Sequence, residues 1–216
     1  MKVAVFDFDG TLADTLRDLA DAVNHGLSVL GCPLHEYDAY KKFVGNGAMK
    51  LCERALPDDR KMLCGELHEL FGAYYGQHFL DKTVLYDGMR ETLDILRDMG
   101  VCLAIATNKP EQFAVKMTEA LMPEYDFVKV LGGVDYRPKK PDRAIIDEIL
   151  KAVPDADTVF MTGDSNVDIQ TGKNCGAVTI GCTWGFRERD ELIAEGADYI
   201  AESPKDIAEI IRKYYQ

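Results

Sequence analysis

Short, unbroken apolar runs recur along this chain with helix-like stretches between them, and that rhythm limits the fold more than any other feature. The runs are Val3–Phe6, Val101–Ala106, Phe127–Leu131, Thr158–Met161 and Ala177–Gly181, with a weaker one at Asp198–Ala201. Several are continuous rather than alternating in polarity, as expected of strands covered on both faces. Between them, Gly88–Met99 puts Met89, Leu93 and Leu96 on one helical face and stops at Gly100, a natural C-terminal glycine. Glu111–Leu121 follows Pro110, Arg143–Val153 carries Ile145, Ile146, Ile149 and Leu150, and Val167–Cys175 ends at Gly176. A last helix opens with Ser203-Pro204 and runs to about Tyr214, the serine as N-cap and the proline in the first turn. The pattern predicts an α/β fold with a Rossmann-like parallel sheet, helices on both faces and right-handed crossovers. Such sheets bind ligands just beyond the C-terminal ends of their strands.

One segment departs from the rhythm. From Thr15 to about Lys82 no convincing strand is visible. Leu16, Leu19, Ala20, Val23, Leu27 and Leu30 recur at helical spacing until Gly31-Cys32-Pro33 stops them. Met49, Leu51, Cys52, Ala55 and Leu56 suggest a second helix, and Met62–Phe79 continues the helical pattern. The expected organisation is an α/β core of residues 1–15 and 83–216 and an inserted all-helical cap of residues 16–82, hinged near Thr15 and near Lys82–Asp87.

Composition narrows the function. The 216 residues suit one sizeable core, or a core plus a small lobe, and 47% of them are hydrophobic. With 25 basic against 37 acidic residues the formal net charge is −12, and no dense Lys/Arg cluster is present. Nucleic acid and anionic membrane surfaces are therefore not expected partners. No apolar run approaches the ~20 residues of a membrane helix. Met1-Lys2 leads straight into a strand without a signal-peptide pattern, so a soluble, cytoplasmic protein is expected. Six scattered cysteines without a CxxC pair and four histidines without ligand spacing argue against a zinc site or a disulfide framework.

The chemistry collects at strand ends. Val3–Phe6 finishes in Asp7-Phe8-Asp9-Gly10-Thr11, two carboxylates one residue apart. Like charges in a partly buried pocket resist ionisation. A divalent cation removes that cost, and Mg²⁺ prefers hard oxygen ligands while keeping room for a phosphate. An ionised aspartate beside a metal-bound phosphate can attack phosphorus. Thr11 offers a hydroxyl and a backbone N–H to phosphate oxygens. A second acidic strand end, Gly163-Asp164-Ser165-Asn166-Val167-Asp168, spaces two carboxylates across a loop entering a helix. If this strand neighbours the first, Asp7 and Asp164 meet at one ion. Thr107-Asn108 ends another strand before a helix N-terminus, a ready anion site. Lys140, in Arg137-Pro138-Lys139-Lys140-Pro141, supplies a cation on a loop bracketed by prolines.

The DxDGT run at Asp7–Thr11, the Thr107-Asn108 pair, the Lys140-Pro141 pair and the GDSxxD run at Gly163–Asp168 resemble, in order and spacing, the four motifs of the haloacid dehalogenase-like phosphatases. The resemblance spans essentially the whole chain. It implies that Asp7 is the nucleophile and a Mg²⁺ ligand, and that Asp9 is general acid and then general base, with its backbone carbonyl on the metal. It implies that Thr107 and Asn108 hold phosphate oxygens and that Lys140 stabilises them. Asp164 would ligate Mg²⁺, and Asp168 would be either a ligand itself or a partner of one. The insert matches the position of the family's helical cap, which closes over the site and excludes water. Val44-Gly45-Asn46-Gly47 with Glu53-Arg54-Ala55-Leu56, and Thr183-Trp184-Gly185-Phe186-Arg187, resemble bacterial phosphoglycolate phosphatases. Arg143 departs from that group, which often has a second proline there. Gly45, Asn46 and Arg54 are the cap residues expected at the substrate, whereas Trp184 and Phe186 are expected to pack the edge of the core.

The expected activity is thus a Mg²⁺-dependent phosphomonoester hydrolase acting on a small phosphorylated metabolite, phosphoglycolate foremost. A phosphosugar mutase or a pyrophosphatase on the same core is the alternative. A non-catalytic phosphate-binding protein fits less well because every catalytic position is filled. A dehalogenase would not need the intact Asp9, Thr11 and later acids.

Overall fold

The first strand, β1 (Lys2–Phe6), shows why the sheet is buried on both sides. Ala4 and Phe6 join one hydrophobic cluster with Leu93, Ile105, Phe160 and Ile207, while Val3 and Val5 join another with Ala104, Ile145, Ile146 and Met161. Both faces of a period-two strand are therefore covered, and a continuous apolar run is the result. The structure is a computed structural model that describes residues 1–215.

After β1 comes the short strand β2 (Ala13–Asp14), which pairs antiparallel with β3 (Val84–Leu85). Between these two lie α1 (Leu16–Val29), α2 (Tyr37–Phe43), α3 (Ala48–Ala55), a 3₁₀ segment at Asp58–Leu63 and α4 (Cys64–His78). The chain continues through α5 (Met89–Asp98), β4 (Cys102–Pro110), α6 (Glu111–Leu121), β5 (Phe127–Gly133) and α7 (Ala144–Leu150). It ends through β6 (Thr158–Gly163), α8 (Asn166–Cys175), β7 (Val178–Cys182), α9 (Arg189–Ala194), β8 (Tyr199–Ala201) and α10 (Pro204–Arg212). The main sheet is parallel, in the order β5-β4-β1-β6-β7-β8. No helix among the described residues is long and apolar enough to cross a membrane.

Helix ends follow local chemistry. Ser165 with Asp168 and Ser203 with Asp206 form capping boxes that start α8 and α10. Two differences from the sequence expectation matter. The strand expected to stop at Ala106 runs on to Pro110, because Pro110 pairs with Gly133 across an irregularity in the β4–β5 ladder. Thr107 and Asn108 thus lie within a strand rather than after one. The helices α2 and α9 and the β2–β3 ladder were not expected from the sequence, being too short for a hydrophobic period to register.

The helices between β2 and β3 have their own apolar centre. Leu19, Val23 and Leu27 of α1 pack with Tyr40, Leu51, Leu67 and Phe71, and Phe113 and Phe186 from outside the insert join them. At the root of α1 the buried Asp18 carboxylate accepts hydrogen bonds from the N–H groups of Lys82 (3.0 Å) and Thr83 (2.9 Å) and from the Thr83 hydroxyl (2.8 Å). One side chain therefore ties the outgoing connection to the returning one.

Candidate active site

β1 lies between β4 and β6, with Phe6 level with Ile105 on one side and Thr162 on the other. Asp7 follows Phe6 directly, and Asp164 lies two residues beyond Thr162, so the two acids emerge at neighbouring strand tips. Asp7, Asp164 and Asp168 each offer a carboxylate oxygen, and these oxygens lie within 4.8 Å of one another. All three residues are buried. Close backbone approach makes this possible: a Cβ at Gly10, whose φ is +81°, would collide with the Asp164 carboxylate, and one at Gly163 with Asp168.

Each acid is held by different donors. Asp7 accepts from the Phe8 N–H at 2.7 Å. Asp164 accepts from the Thr11 hydroxyl at 3.2 Å and the Phe186 N–H at 2.7 Å. Asp168 accepts from the Ser165 N–H at 3.1 Å and the Ser165 hydroxyl at 2.6 Å. The Lys140 ammonium stands 3.0 Å from Asp7 and 2.6 Å from Asp168. Burial disfavours its charge, but Asp168 and Asp7 outweigh burial and hold Lys140 above the ordinary lysine value. Burial, then the charges of Asp168 and Asp7, pushes Asp164 up to about 8. Burial and Asp168 likewise push Asp7 up to about 6, against the opposing pull of Lys140 and Thr107.

Three buried carboxylates thus converge, and one ammonium pairs with only two of them, Asp7 and Asp168. The donor set is all oxygen, the atoms converge, and negative charge is in excess. A hard divalent cation fits this arrangement on charge and on ligand type.

A cavity of about 580 Å³, open mouth included, lies over the strand tips, with Asp7, Asp9, Thr107, Asn108, Lys109 and Asp164 in its lining. The helical insert supplies the opposite wall, including Gly45, Gly47, Leu51, Phe71 and Tyr75. Asn108 joins the two parts. Its amide nitrogen donates to the carbonyls of Gly45 (3.0 Å) and Lys140 (3.1 Å), and its oxygen accepts from the Lys140 N–H (2.9 Å). Arg187 donates to the carbonyls of Lys41 and, at 2.9 Å, Val44.

Among the other residues singled out in the sequence, the structure separates several. Asp9 is not one of the converging acids; its carboxylate accepts from Thr15 at 2.7 Å and Lys109 at 2.9 Å. Thr11 directs its hydroxyl to Asp164, and Thr11 is not part of the cavity lining. Gly45 is in the lining, but Asn46 and Arg54 are not. Arg54 instead donates to Asn46 Oδ1 at 2.7 Å and to the Phe43 carbonyl at 2.9 Å, bracing the loop that carries Gly45. Trp184 packs at the core edge and donates to the Thr11 carbonyl at 3.0 Å. Phe186 differs from expectation, for it packs into the insert's apolar centre and lines the cavity.

Sequence reasoning missed Lys109. Its ammonium is buried, 2.9 Å from Asp9 and 2.7 Å from the Tyr75 hydroxyl. Burial opposes its charge, but Asp9 and Tyr75 outweigh burial and raise its pKa. The only local signal was a lysine beside the strand-end amide. Tyr75 lies 34 residues away, and nothing in the sequence linked the two.

Known proteins point the same way. The family profile of the haloacid dehalogenase-like hydrolases matches residues 4–182. A phosphoglycolate phosphatase of Vibrio parahaemolyticus is 33% identical, over 98% of this chain and 96% of its own. One of Pseudomonas savastanoi pv. phaseolicola is 35% identical, over 98% of this chain and 78% of its own. A crystal structure from Lactobacillus delbrueckii subsp. bulgaricus, provisionally described as a phosphoglycolate phosphatase, superposes with a TM-score of 0.90 at 28% identity, covering 97% of each chain. From the sheet order, the strand-tip acids and this full-length likeness, the chain belongs to the haloacid dehalogenase-like hydrolases.

Proposed function

We propose that this chain hydrolyses the phosphomonoester of a small metabolite in a Mg²⁺-dependent reaction, with phosphoglycolate as the favoured substrate. The observation that carries the reading is the meeting of Asp7, Asp164 and Asp168 at the strand tips, with Lys140 paired to Asp7 and Asp168 and a cavity lined by Asp7 and Asp164. The names of the Vibrio and Pseudomonas relatives support the choice of substrate.

Asp7, Asp164 and Asp168, with the Asp9 backbone carbonyl, would hold Mg²⁺, which when bound supplies the positive charge that a phosphoryl group and its acidic surroundings need. The protein's own groups do the rest. An Asp7 oxygen attacks phosphorus as the bond to the ester oxygen breaks, and Asp9 gives that oxygen a proton. A water then attacks the aspartyl-phosphate, passes a proton to Asp9 and releases Asp7 and inorganic phosphate. The Thr107 hydroxyl and the backbone at Asn108 would position phosphate oxygens, and Lys140 offsets their charge. The Asn108 side chain holds the Lys140 backbone in place. Thr11 contributes by holding Asp164. The helical insert, residues 16–82, serves as a cap that shields the cavity from water.

The test is hydrolysis of p-nitrophenyl phosphate and phosphoglycolate by purified protein with Mg²⁺. Asp7→Asn should lose more than about 10⁴-fold in kcat, as loss of a nucleophile does. A folded Asp7→Asn protein with full turnover would end the covalent mechanism.

A further inference from the structure

The Asp9 carboxylate is held by one oxygen only. Thr15 Oγ1 donates to Asp9 Oδ1 at 2.7 Å, and Lys109 Nζ donates to the same Oδ1 at 2.9 Å. Among the described residues Oδ2 has no hydrogen-bond partner, yet it is not a buried orphan, and Asp9 lines the cavity. Oδ1 is therefore the anchored oxygen, and Oδ2 is left without a partner on a residue that lines the cavity.

Lys109 is itself pinned. Its side chain is 1% exposed. Its ammonium donates to the Tyr75 hydroxyl at 2.7 Å and stands 4.9 Å from that ring's centre. Tyr75 belongs to α4 of the insert and is stacked on Phe71 and edge-on to Phe113. A flexible lysine loses much of its freedom in such a setting, so its Nζ marks a defined point. The groups facing it are Asp9 and Tyr75 in hydrogen-bond contact, with the Phe8 ring centre at 6.0 Å.

We infer that Lys109, steadied by Tyr75 of the helical insert, is a positioning residue that anchors Asp9 through Oδ1 and so presents Oδ2 for proton transfer to the leaving group. This inference rests on the phosphatase reading above and assigns a task within it. As Oδ2 gives up its proton to the departing oxygen, negative charge develops on the Asp9 carboxylate beside a fixed ammonium. A charge already in place needs no reorganisation at that moment. Lys109 moves no proton of its own and need not touch substrate. Because Tyr75 comes from the insert and Asp9 from the β1 tip, the anchor is complete only with the insert seated on the core.

The inference is tested by two esters of nearly equal shape and different leaving groups. p-Nitrophenolate departs readily without a proton, whereas phenolate is a far poorer leaving group and relies on the acid. The quantity to compare is kcat/KM with Mg²⁺, which reports events up to loss of the leaving group. Breakdown of the aspartyl-phosphate is common to both esters and drops out.

For Lys109→Met, kcat/KM for phenyl phosphate should fall roughly 10- to 100-fold further than that for p-nitrophenyl phosphate, a fraction of what general acid catalysis supplies. Tyr75→Phe keeps the ring and its packing and should shift the ratio the same way by about 3-fold, the size of a modest hydrogen-bond contribution. An equal loss on both esters in Lys109→Met would overturn the inference, because a packing defect or a direct substrate contact lowers both alike. If Lys109→Met does not fold, an unshifted ratio in Tyr75→Phe overturns it. A shift in Lys109→Met without one in Tyr75→Phe removes the insert's part. Wild-type protein that hydrolyses neither ester removes the phosphatase reading and this inference with it, while an active enzyme with unshifted ratios removes only the inference.

Discussion

The two buried lysines of the site make an instructive pair. Both have side chains about 1% exposed, and both face aspartates that leave the β1 tip. Lys140 lies between Asp7 and Asp168, and its own backbone is fixed by Asn108. Its charged partners come from the β1 tip and α8, so nothing in the insert is needed to place them. Lys109 bridges the two halves, with Asp9 on the core side and Tyr75 on α4. The contrast separates two tasks. Lys140 answers a charge-dense cluster that exists whatever the insert does. Lys109 gives its aspartate one fixed oxygen only where core and insert meet. A buried cation can thus compensate charge in one place and set geometry in another, and its partners tell which.

The largest expected effect breaks the pair at Lys140. Lys140→Met should lower kcat by about 10²–10³-fold on phenyl and p-nitrophenyl phosphate alike, as loss of a fixed charge at the reacting phosphate does. Steady-state kinetics on both esters check this. A loss confined to phenyl phosphate would mean that the two lysines do the same work.

Metal addition gives the next effect. If the acidic cluster is the Mg²⁺ site, Mg²⁺ at 100 times its Kd stabilises the fold by about 2.7 kcal/mol. For a chain of this size that is roughly a 5–10 °C rise in the melting midpoint. Asp164→Asn should abolish the rise, whereas Lys109→Met should retain it. Thermal melts with Mg²⁺ and with a chelator read the difference. A rise that survives Asp164→Asn moves the metal elsewhere.

The smallest effect sharpens the comparison at the root of the insert. Asp18→Ala strands the N–H groups of Lys82 and Thr83 and should cost about 2–3 kcal/mol of stability by denaturant unfolding. At a temperature where the variant remains folded, its phenyl to p-nitrophenyl ratio should move toward that of Lys109→Met. Its response to Mg²⁺ should match wild type. A changed Mg²⁺ response with an unchanged ratio would reverse the assignment of which lysine depends on the insert.

How much was legible follows from where each partner lies. Strands β1 and β6 were readable because both their faces are buried, which writes an unbroken apolar run into the sequence. Asp7, Asp9, Asp164 and Asp168 were readable because each lies within seven residues of the end of such a run. The stop of β4 was misplaced, since Pro110 pairs with Gly133 only through tertiary contact. Asn46 and Arg54 stood out in the sequence, yet they bond to each other rather than line the cavity, and spacing along a chain does not say which way a loop faces. Lys109 looked like an ordinary lysine because both of its partners are distant, Tyr75 by 34 residues and Asp9 by 100.

By itself the sequence determined the alternation of strand and helix, the helical character of much of residues 16–82 and the acids at the strand tips. Those features depend on local periodicity and on neighbours in the chain, which the order of residues states directly. Only the tertiary structure decided that three of those acids converge with one ammonium between two of them, that Asp9 is gripped by a single oxygen, and that a tyrosine from the insert holds the lysine that grips it. Those contacts join residues brought together by sheet order and by the seating of the insert, and the balance of burial against charge that fixes them arises only once the chain has closed around them.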